Sequence, residues 1–412
     1  MPARGESVVL TVEKPAAGGR MIARVNGQIV LVGGAIPGER VTARVERVGK
    51  GVVYADTIGV DTASPDRRAV AADPLCGGCL YSHIGYARQL EIKAQVIADA
   101  FGRIGRLTLP AAVRVAPSPE DGYRMRARLH VRGRRAGFYR EGTHEMCDVR
   151  QTRQLLPATC DVLESFVNEM AALGLEMVSE IELSENVDAS ERALFADLRA
   201  GGDARMRERL AAIDGVTGVG PDASVTDRIA VGGAPPVVFR RNVRSFFQGN
   251  RYLLGDLAAH VAGLVPPDTD MLDLYAGSGL FSLTAAAARR ARVTAVEGDR
   301  FAVADLKTNA SAHAGVHVHH KPVEEFLEAK QGRPGVVVVD PPRTGLSRAA
   351  IDGVIRLGAG RVIYVSCDPA TLARDARRFV DAGYTIERAD AFDLFPNTPH
   401  VETVVVFGQA RQ

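Results

Sequence analysis

Two hydrophobic patterns divide the chain. In the first 60 residues, short β-rich runs are separated by glycine and proline turns, whereas longer apolar runs recur regularly after about residue 241. The short runs cover residues 8–12, 21–25, 28–32, 40–45 and 51–55. Five such strands predict a small β-barrel of the oligonucleotide-binding kind, with a β-module that only packs on its neighbour as an equal alternative.

The C-terminal runs are typical of strands that are buried on both faces. They cover residues 271–274, 293–296, 336–339, 362–365 and 404–407 and alternate with helix-like segments. This pattern predicts an α/β fold with a doubly wound, Rossmann-like sheet. We therefore expect a barrel in residues 1–60, a linker with a cysteine motif in 61–94, a central α+β domain in 95–240 and the α/β domain in 241–412.

Composition narrows the class of protein without naming a partner. The chain has 46% hydrophobic and 24% charged residues and a net charge of +2, so any basic surface must be local. Residues 121–153 hold nine arginines against four acidic residues, with Tyr123, Phe138 and Tyr139 between them. Arginines bind phosphates and aromatic rings stack on bases, which favours RNA contact over a solvated arginine-rich face.

Nothing in the pattern predicts secretion or membrane insertion. The first residues contain no apolar segment, and no apolar run approaches the roughly 20 residues of a membrane span. Five cysteines without a repeating framework predict a cytoplasmic protein with reduced thiols.

A glycine loop follows the first C-terminal strand. Gly277 and Gly279 open a helix there, and Glu297 lies twenty residues beyond Gly277, after the next strand. A tight turn alone would explain the glycines, but a carboxylate at this spacing can bind ribose hydroxyls. We expect S-adenosylmethionine rather than NAD, because the third glycine of a dinucleotide loop is missing.

Three further residues follow strands or precede the last strand, where an open α/β sheet binds ligands. Asp340 begins Asp-Pro-Pro-Arg, Cys367 lies in Ser-Cys-Asp-Pro, and Glu402 precedes the final apolar run. A thiolate that adds to C6 of uracil makes C5 nucleophilic, and a carboxylate can then remove the C5 proton. Each residue alone could be structural, but together they predict methylation of uracil at C5.

The chain resembles the RNA 5-methyluridine methyltransferases over essentially its whole length. The resemblance rests on Phe247-Gln248, Asp273-Leu274-Tyr275 with its glycines, Asp340-Pro341-Pro342-Arg343, Val365-Ser366-Cys367 and His400-Val401-Glu402. It implies a TRAM-like barrel, a central RNA-binding domain and a methyltransferase domain that modifies uridine in transfer RNA or 23S ribosomal RNA. We expect a monomer that binds neither DNA nor membranes.

The same resemblance implies roles for single residues. Cys367 matches the nucleophile and Glu402 the base. The expected cofactor contacts are Gln248, Tyr275, Gly277, Gly279, Glu297 and Asp340. The expected substrate contacts are Phe247, Gln248, Asp340 and Arg343.

Two substitutions depart from the family pattern near the reacting groups. Asp368 stands where the family has Asn, and a carboxylate beside Cys367 would raise the pKa of its thiol unless it is paired or turned away. Leu280 replaces an Asn of the cofactor loop.

The cysteine motif also departs from the pattern of relatives that bind an iron–sulfur cluster. Cys76 and Cys79 match two of the four cluster ligands, whereas the other two positions fall on Val70 and Thr152. Cys147 and Cys160 are out of register with this motif. Because a [4Fe–4S] cluster requires four ligands, we expect no cluster and no other metal.

Other functions stay open at this point. The substitutions are also compatible with an RNA-binding module whose catalysis is vestigial. An RNA 5-methylcytosine methyltransferase would use a cysteine too, but it would leave Glu402 unexplained. An amino-methyltransferase is disfavoured because Arg343 stands where an aromatic residue is expected.

Overall fold

A closed five-stranded barrel begins the chain. The computed structural model describes residues 2–70, 73–198 and 204–409. The barrel strands pair in the order β1-β2-β3-β5-β4, and apolar side chains at alternating positions fill its core. All five predicted strands are confirmed, with the bounds β1 (Ser7–Pro15), β2 (Met21–Val25), β3 (Gln28–Gly33), β4 (Arg40–Val48) and β5 (Val52–Thr62).

A single helix joins the barrel to the C-terminal domain. Helix α1 (Tyr86–Ala100) continues into a π-helical turn, Phe101–Gly105. Ile92 packs into the barrel core, whereas Ile97 and Phe101 pack into the core of the C-terminal domain. A domain boundary at residue 95 therefore cuts through a continuous helix.

Both faces of the central sheet are at least partly covered, one by a helix and the other by the hairpin of residues 224–242. Its six strands pair in the order β12-β11-β10-β7-β8-β9. Helix α2 (Pro157–Ala172) packs on one face, against apolar side chains that include Leu129 and Leu183. Helix α3 (Ala204–Ala211) follows. The strands are β7 (Arg126–Arg132), β8 (Arg135–Tyr139), β9 (Met146–Asp148), β10 (Glu180–Glu185), β11 (Arg192–Ala196) and β12 (Gly218–Val219).

The arginine-rich segment does not expose all of its aromatic rings. Tyr123 is fully buried and Phe138 is 9% exposed, so neither ring can stack on a base as the sequence pattern predicted. Tyr139 is half-buried and remains accessible. After this domain, the hairpin of β13 (Ser224–Ile229) and β14 (Val237–Asn242) leads to the C-terminal domain.

The C-terminal domain is built on an eight-stranded sheet. Its order is β17-β16-β15-β18-β19-β21-β20-β6, where β6 (Val115–Ala116) comes from before the central domain. The first five strands of this order are parallel and β21 runs antiparallel to both neighbours. Two apolar cores cover the two faces, which confirms the predicted Rossmann-like α/β class.

The elements of this domain alternate along the chain. The strands are β15 (Asp270–Leu274), β16 (Arg292–Glu297), β17 (Val316–His320), β18 (Val336–Val339), β19 (Arg361–Ser366), β20 (Tyr384–Phe392) and β21 (Glu402–Gln409). The helices are α4 (Leu254–Leu264), α5 (Leu280–Arg289), α6 (Arg300–Ala310), α7 (Val323–Ala329), α8 (Arg348–Leu357) and α9 (Pro369–Asp381). Within the described ranges, no helix combines the length and apolarity needed to cross a membrane.

The cysteines correct one expectation from the sequence. Cys76 and Cys147 form a disulfide across 71 residues of chain, so not all thiols outside the site are reduced. The cause is that the segment around Cys76 pairs with the end of β8, where β9 presents Cys147. Cys79, Val70 and Thr152 line one polar cavity of about 230 Å³. Among the described residues, no group of three or more His, Cys, Asp or Glu could hold a metal ion.

A buried ion pair connects α1 to the segment before β21. The Lys93 ammonium donates to the carboxylate of Asp393 and to the carbonyl oxygen of Phe395, the latter at 3.1 Å. Both charged side chains are at most 1% exposed. Two side chains from the same region, Gln89 and Arg68, donate to the Asn397 side-chain oxygen at 3.0 and 2.8 Å. These contacts hold the backbone that leads to Glu402.

We expect Lys93→Met to lower the free energy of unfolding by about 3–5 kcal/mol, because it leaves the Asp393 carboxylate buried without its partner. Urea denaturation measures this loss. Lys14→Met is the matched control, since Lys14 pairs with Asp99 of the same helix at a half-exposed position, and it should cost at most about 1 kcal/mol. Equal losses in the two variants would contradict the importance of the buried pair.

Candidate active site

The predicted reacting residues meet at one edge of the C-terminal sheet. The glycine loop follows β15, Asp340 follows β18 and Cys367 follows β19. Glu402 begins β21, which is antiparallel to β19, so it starts at the same edge. Because Ser366 pairs with Thr403, Cys367 and Glu402 occupy the next opposed positions of the two strands.

The glycine loop turns sharply because its backbone enters the left-handed region. Gly277 has a φ of 56° and Gly279 a φ of 98°, and Tyr275 adopts 62° despite its side chain. The Gly277 amide donates to Glu297 Oε2 at 2.8 Å, and the other carboxylate oxygen accepts from the Asp299 amide at 2.6 Å. This hydrogen bond joins the glycine loop directly to Glu297.

Several buried polar atoms around this loop lack a partner within the described chain. Asp273 is fully buried and accepts from Ser282 Oγ at 2.5 Å through one oxygen, but its Oδ1 has no hydrogen-bond partner. Ser278 Oγ is equally unpartnered. Burial, opposed by the Ser282 hydrogen bond, raises the pKa of Asp273 to about 7. Unpaired polar groups of this kind are expected at a ligand site.

The third carboxyl group at this edge is Asp340. Gln248 Nε2 donates to its Oδ2 at 3.3 Å. Burial raises the pKa of Asp340 to about 7, and the nearby carboxyl groups of Asp273 and Glu297 add to that shift. A cationic ligand would relieve this accumulation of negative charge, and Glu297 can bind a ribose. The residues present therefore fit S-adenosylmethionine, which carries both a sulfonium and a ribose.

Cys367 lies in an environment that keeps its thiol protonated. Burial raises the pKa of the Cys367 thiol to about 11, and Glu402 contributes, whereas Arg343 opposes the shift by charge and hydrogen bonding. Burial raises the pKa of Glu402 well above its usual range, with Asp340 as the second cause. Arg343 lies at the exposed rim, 3.5 Å from His400 Nε2. It is the cation positioned to favour a thiolate.

Asp368 is turned away from the neighbouring thiol. Its Oδ1 accepts from the Ala370 and Thr371 amides at 3.0 and 2.8 Å, which caps the N-terminus of α9. Asp368 is therefore paired with backbone amides, which is the case in which we expected it not to raise the pKa of the Cys367 thiol. The raised pKa of Cys367 comes from burial and Glu402 instead.

Phe247 is placed differently from its predicted role as a substrate contact. It is 4% exposed, with its ring 5.9 Å from that of Phe239 and 4.8 Å from the Arg241 guanidinium. Its neighbour Phe246 is 60% exposed, beside Gln248. Of the two neighbouring rings, Phe246 is therefore the one exposed to solvent, whereas Phe247 belongs to the apolar core.

The fold and the site define a Rossmann-like methyltransferase with an N-terminal TRAM domain. A solved structure with the same fold is the Pyrococcus abyssi tRNA (uracil-54, C5)-methyltransferase in complex with S-adenosyl-L-homocysteine. It matches with a TM-score of 0.74 and 24% identity and covers 97% of this chain and 99% of that chain.

Sequence comparisons then give the family. Residues 222–410 match the tRNA (uracil-5-)-methyltransferase model and residues 3–58 match the TRAM domain. An RNA methyltransferase of Streptomyces avermitilis is 32% identical over 98% of this chain and 99% of its own length. The 23S rRNA (uracil(1939)-C(5))-methyltransferase RlmD of Methylococcus capsulatus is 31% identical over 98% of both chains. The chain belongs to the uracil-5 RNA methyltransferase family.

Alkylation by iodoacetamide should reveal the protonated state of Cys367. In the protein without ligands, the rate should rise about tenfold per pH unit from pH 7 up to about pH 11, because only the thiolate reacts. Arg343→Gln should slow the reaction at each pH, since it removes the group that lowers the thiol pKa. Cys367→Ser supplies the background from Cys79 and Cys160. A wild-type rate that levels off near the ordinary thiol pKa of roughly 8.5 would contradict this account.

Proposed function

We propose that this protein methylates C5 of a uridine in structured RNA through a covalent bond between Cys367 Sγ and C6 of the base. The observation that supports this most strongly is the opposed placement of Cys367 and Glu402 at adjacent strand ends. The residues expected to contact the cofactor, among them Gly277, Glu297 and Asp340, lie at the same edge of the C-terminal sheet. The Methylococcus capsulatus relative is named for its action on 23S ribosomal RNA, and the Pyrococcus abyssi protein of similar structure for its action on transfer RNA. A uridine in either RNA class is the proposed substrate.

The first step is addition of sulfur to the base. The Cys367 thiolate attacks C6, and the electron pair of the C5–C6 double bond moves towards C5 and O4. The thiol is protonated in the resting site but only partly buried, so its proton must pass to solvent water when RNA binds. We assign Arg343 the role of stabilising the thiolate, because its charge and its hydrogen bond both lower the pKa of Cys367.

The second stage releases the product and restores the cysteine. Bound S-adenosylmethionine would supply an electrophilic methyl group to C5 and would leave as S-adenosylhomocysteine. Glu402, as carboxylate, then takes the C5 proton, the C5–C6 double bond re-forms and the C6–S bond breaks. Glu402 is 2% exposed, so bulk water cannot easily replace it as the base.

Gln248 and Asp340 are proposed to bridge the cofactor and the base. Their 3.3 Å contact fixes the orientation of the amide, which leaves donor and acceptor atoms for a base edge. The target uridine must leave its stack to reach Cys367, because the thiol is half-buried. The exposed side chain of Phe246 lies two residues before Gln248 in the chain.

Two variants separate the proposed roles. Cys367→Ala should lose methyl transfer to RNA completely while still binding S-adenosylmethionine. Glu402→Gln should accumulate a protein–RNA adduct that survives denaturation, because the C5 proton is not removed and sulfur is not released. Radiolabelled methyl transfer and denaturing gels measure both outcomes.

The control for these variants is Cys160→Ala, because Cys160 is a free cysteine of α2 in the central domain. It should keep methyl transfer. An active Cys367→Ala variant would refute the covalent mechanism. A protein that binds RNA but never S-adenosylmethionine would instead favour the RNA-binding alternative.

A further inference from the structure

His400 belongs to the same short motif as Glu402, but the proposed chemistry uses only Glu402. The His400 ring lies beside Arg343, with Nε2 3.5 Å from a guanidinium nitrogen, which is the outer limit for a hydrogen bond. A guanidinium has donors and no acceptor, so this contact is attractive only when Nε2 carries a lone pair. Nε2 is therefore the acceptor, and the proton of the neutral ring is on Nδ1.

The surroundings of His400 keep its ring neutral. Burial lowers the pKa of His400 to about 4, and the positive charges of Arg343, Lys93 and Arg124 act in the same direction. Asp368 opposes them, but its carboxylate is already engaged as the cap of α9. Because the imidazole loses its proton as the pH rises through that value, its lone pair is available to Arg343 at neutral and alkaline pH.

Both the backbone and the ring of His400 are held in place. The His400 amide donates to Thr398 Oγ1 at 3.2 Å, and that hydroxyl donates to the Phe395 carbonyl oxygen at 2.7 Å. The same carbonyl oxygen accepts from the buried Lys93 ammonium. The ring of Phe395 meets the imidazole edge-on at 6.0 Å. The position of the imidazole is thus set by the protein and does not depend on a bound substrate.

Arg343 has a fixed backbone and a side chain with few partners. Thr371 Oγ1 donates to the Arg343 carbonyl oxygen at 3.2 Å, and Thr371 lies in the first turn of α9, just after Cys367. The Arg343 side chain is exposed, and within the described ranges it forms no salt bridge with a carboxylate. Its guanidinium has hydrogen bonds to His400 and to the Cys367 thiol. A long arginine side chain with so few contacts samples many rotamers unless a neighbour selects one.

We propose that His400 is a positioning residue, whose neutral imidazole holds the Arg343 guanidinium beside the Cys367 sulfur. Held in this way, the guanidinium places its charge where the thiolate forms, without first having to be ordered. His400 accepts a hydrogen bond from Arg343 and takes no proton from the thiol. The inference rests on the proposed function, because that function is what requires a thiolate at Cys367.

Alkylation of the ligand-free protein by iodoacetamide, from about pH 7 to about pH 9, tests this role. His400→Phe keeps a ring against Phe395 but removes the acceptor. Cys367 should then react on the order of threefold to tenfold more slowly at each pH, because a nearby cation lowers a thiol pKa by one unit or more and an unheld Arg343 loses part of that effect. His400→Gln should restore most of the wild-type rate, since its amide oxygen accepts a hydrogen bond but cannot act as a base.

The matched control is His313→Phe. His313 lies in the turn before β17, at the opposite edge of the parallel sheet, so this variant should react as the wild type does. Cys367→Ser again supplies the background from the other thiols.

A second comparison uses the Arg343→Gln background. His400→Phe should have no further effect on alkylation there, because the residue that it positions is gone. A wild-type rate for His400→Phe, or losses that add in the double variant, would overturn the inference. A His400→Gln variant as slow as His400→Phe would also overturn it and would make His400 a base for the thiol. The assay contains neither RNA nor S-adenosylmethionine, so a failure of the proposed function would appear separately, as absent methyl transfer by the wild type.

Discussion

The clustering of buried carboxyl groups at one edge of the C-terminal sheet is the constraint on which the rest of the site depends. Burial raises the pKa values of Asp273 and Asp340 to about 7 and that of Glu402 well above its usual range. Such a cluster is costly until a cation and hydrogen-bond donors reach it. It therefore favours a sulfonium cofactor. Burial, and then the Glu402 carboxyl group of this cluster, keep Cys367 protonated. Arg343 at the rim opposes this effect, because its charge and its hydrogen bond lower the pKa of the Cys367 thiol.

The geometry of this edge relies on parts of the chain far away in sequence. The Lys93–Asp393 pair and the Gln89–Asn397 contact fix the segment before Glu402 from helix α1, and Arg68 adds a second contact to Asn397. The same helix packs into the barrel core, so it supports both the barrel and the segment before Glu402. A Cys76–Cys147 disulfide holds the neighbouring loop to the central domain. The three parts of the chain thus act on one site.

The sequence predicted what depends on local pattern. Buried strands, the glycine turn and the strand-end positions of Cys367 and Asp340 follow from periodicity and from the rule that ligands bind at strand ends. Contacts between distant parts of the chain could not be predicted. Cys147 reaches Cys76 only through sheet pairing. Asp368 caps the helix that begins beside it, and this keeps its carboxylate turned away from the Cys367 thiol. The burial of Phe247 rather than Phe246 follows from the packing of its ring against Phe239 and Arg241, which the sequence pattern does not show.

The covalent role of Cys367 is tested most directly with RNA in which 5-fluorouridine replaces uridine. A base can remove a proton from C5 but cannot remove fluorine in the same way. The 5-fluorouracil base should therefore remain bonded to sulfur after addition and methylation. In the presence of S-adenosylmethionine, mass spectrometry of the digested complex should find the RNA adduct on the peptide that contains Cys367. An adduct on another residue, or none with an enzyme that methylates ordinary RNA, would contradict the mechanism.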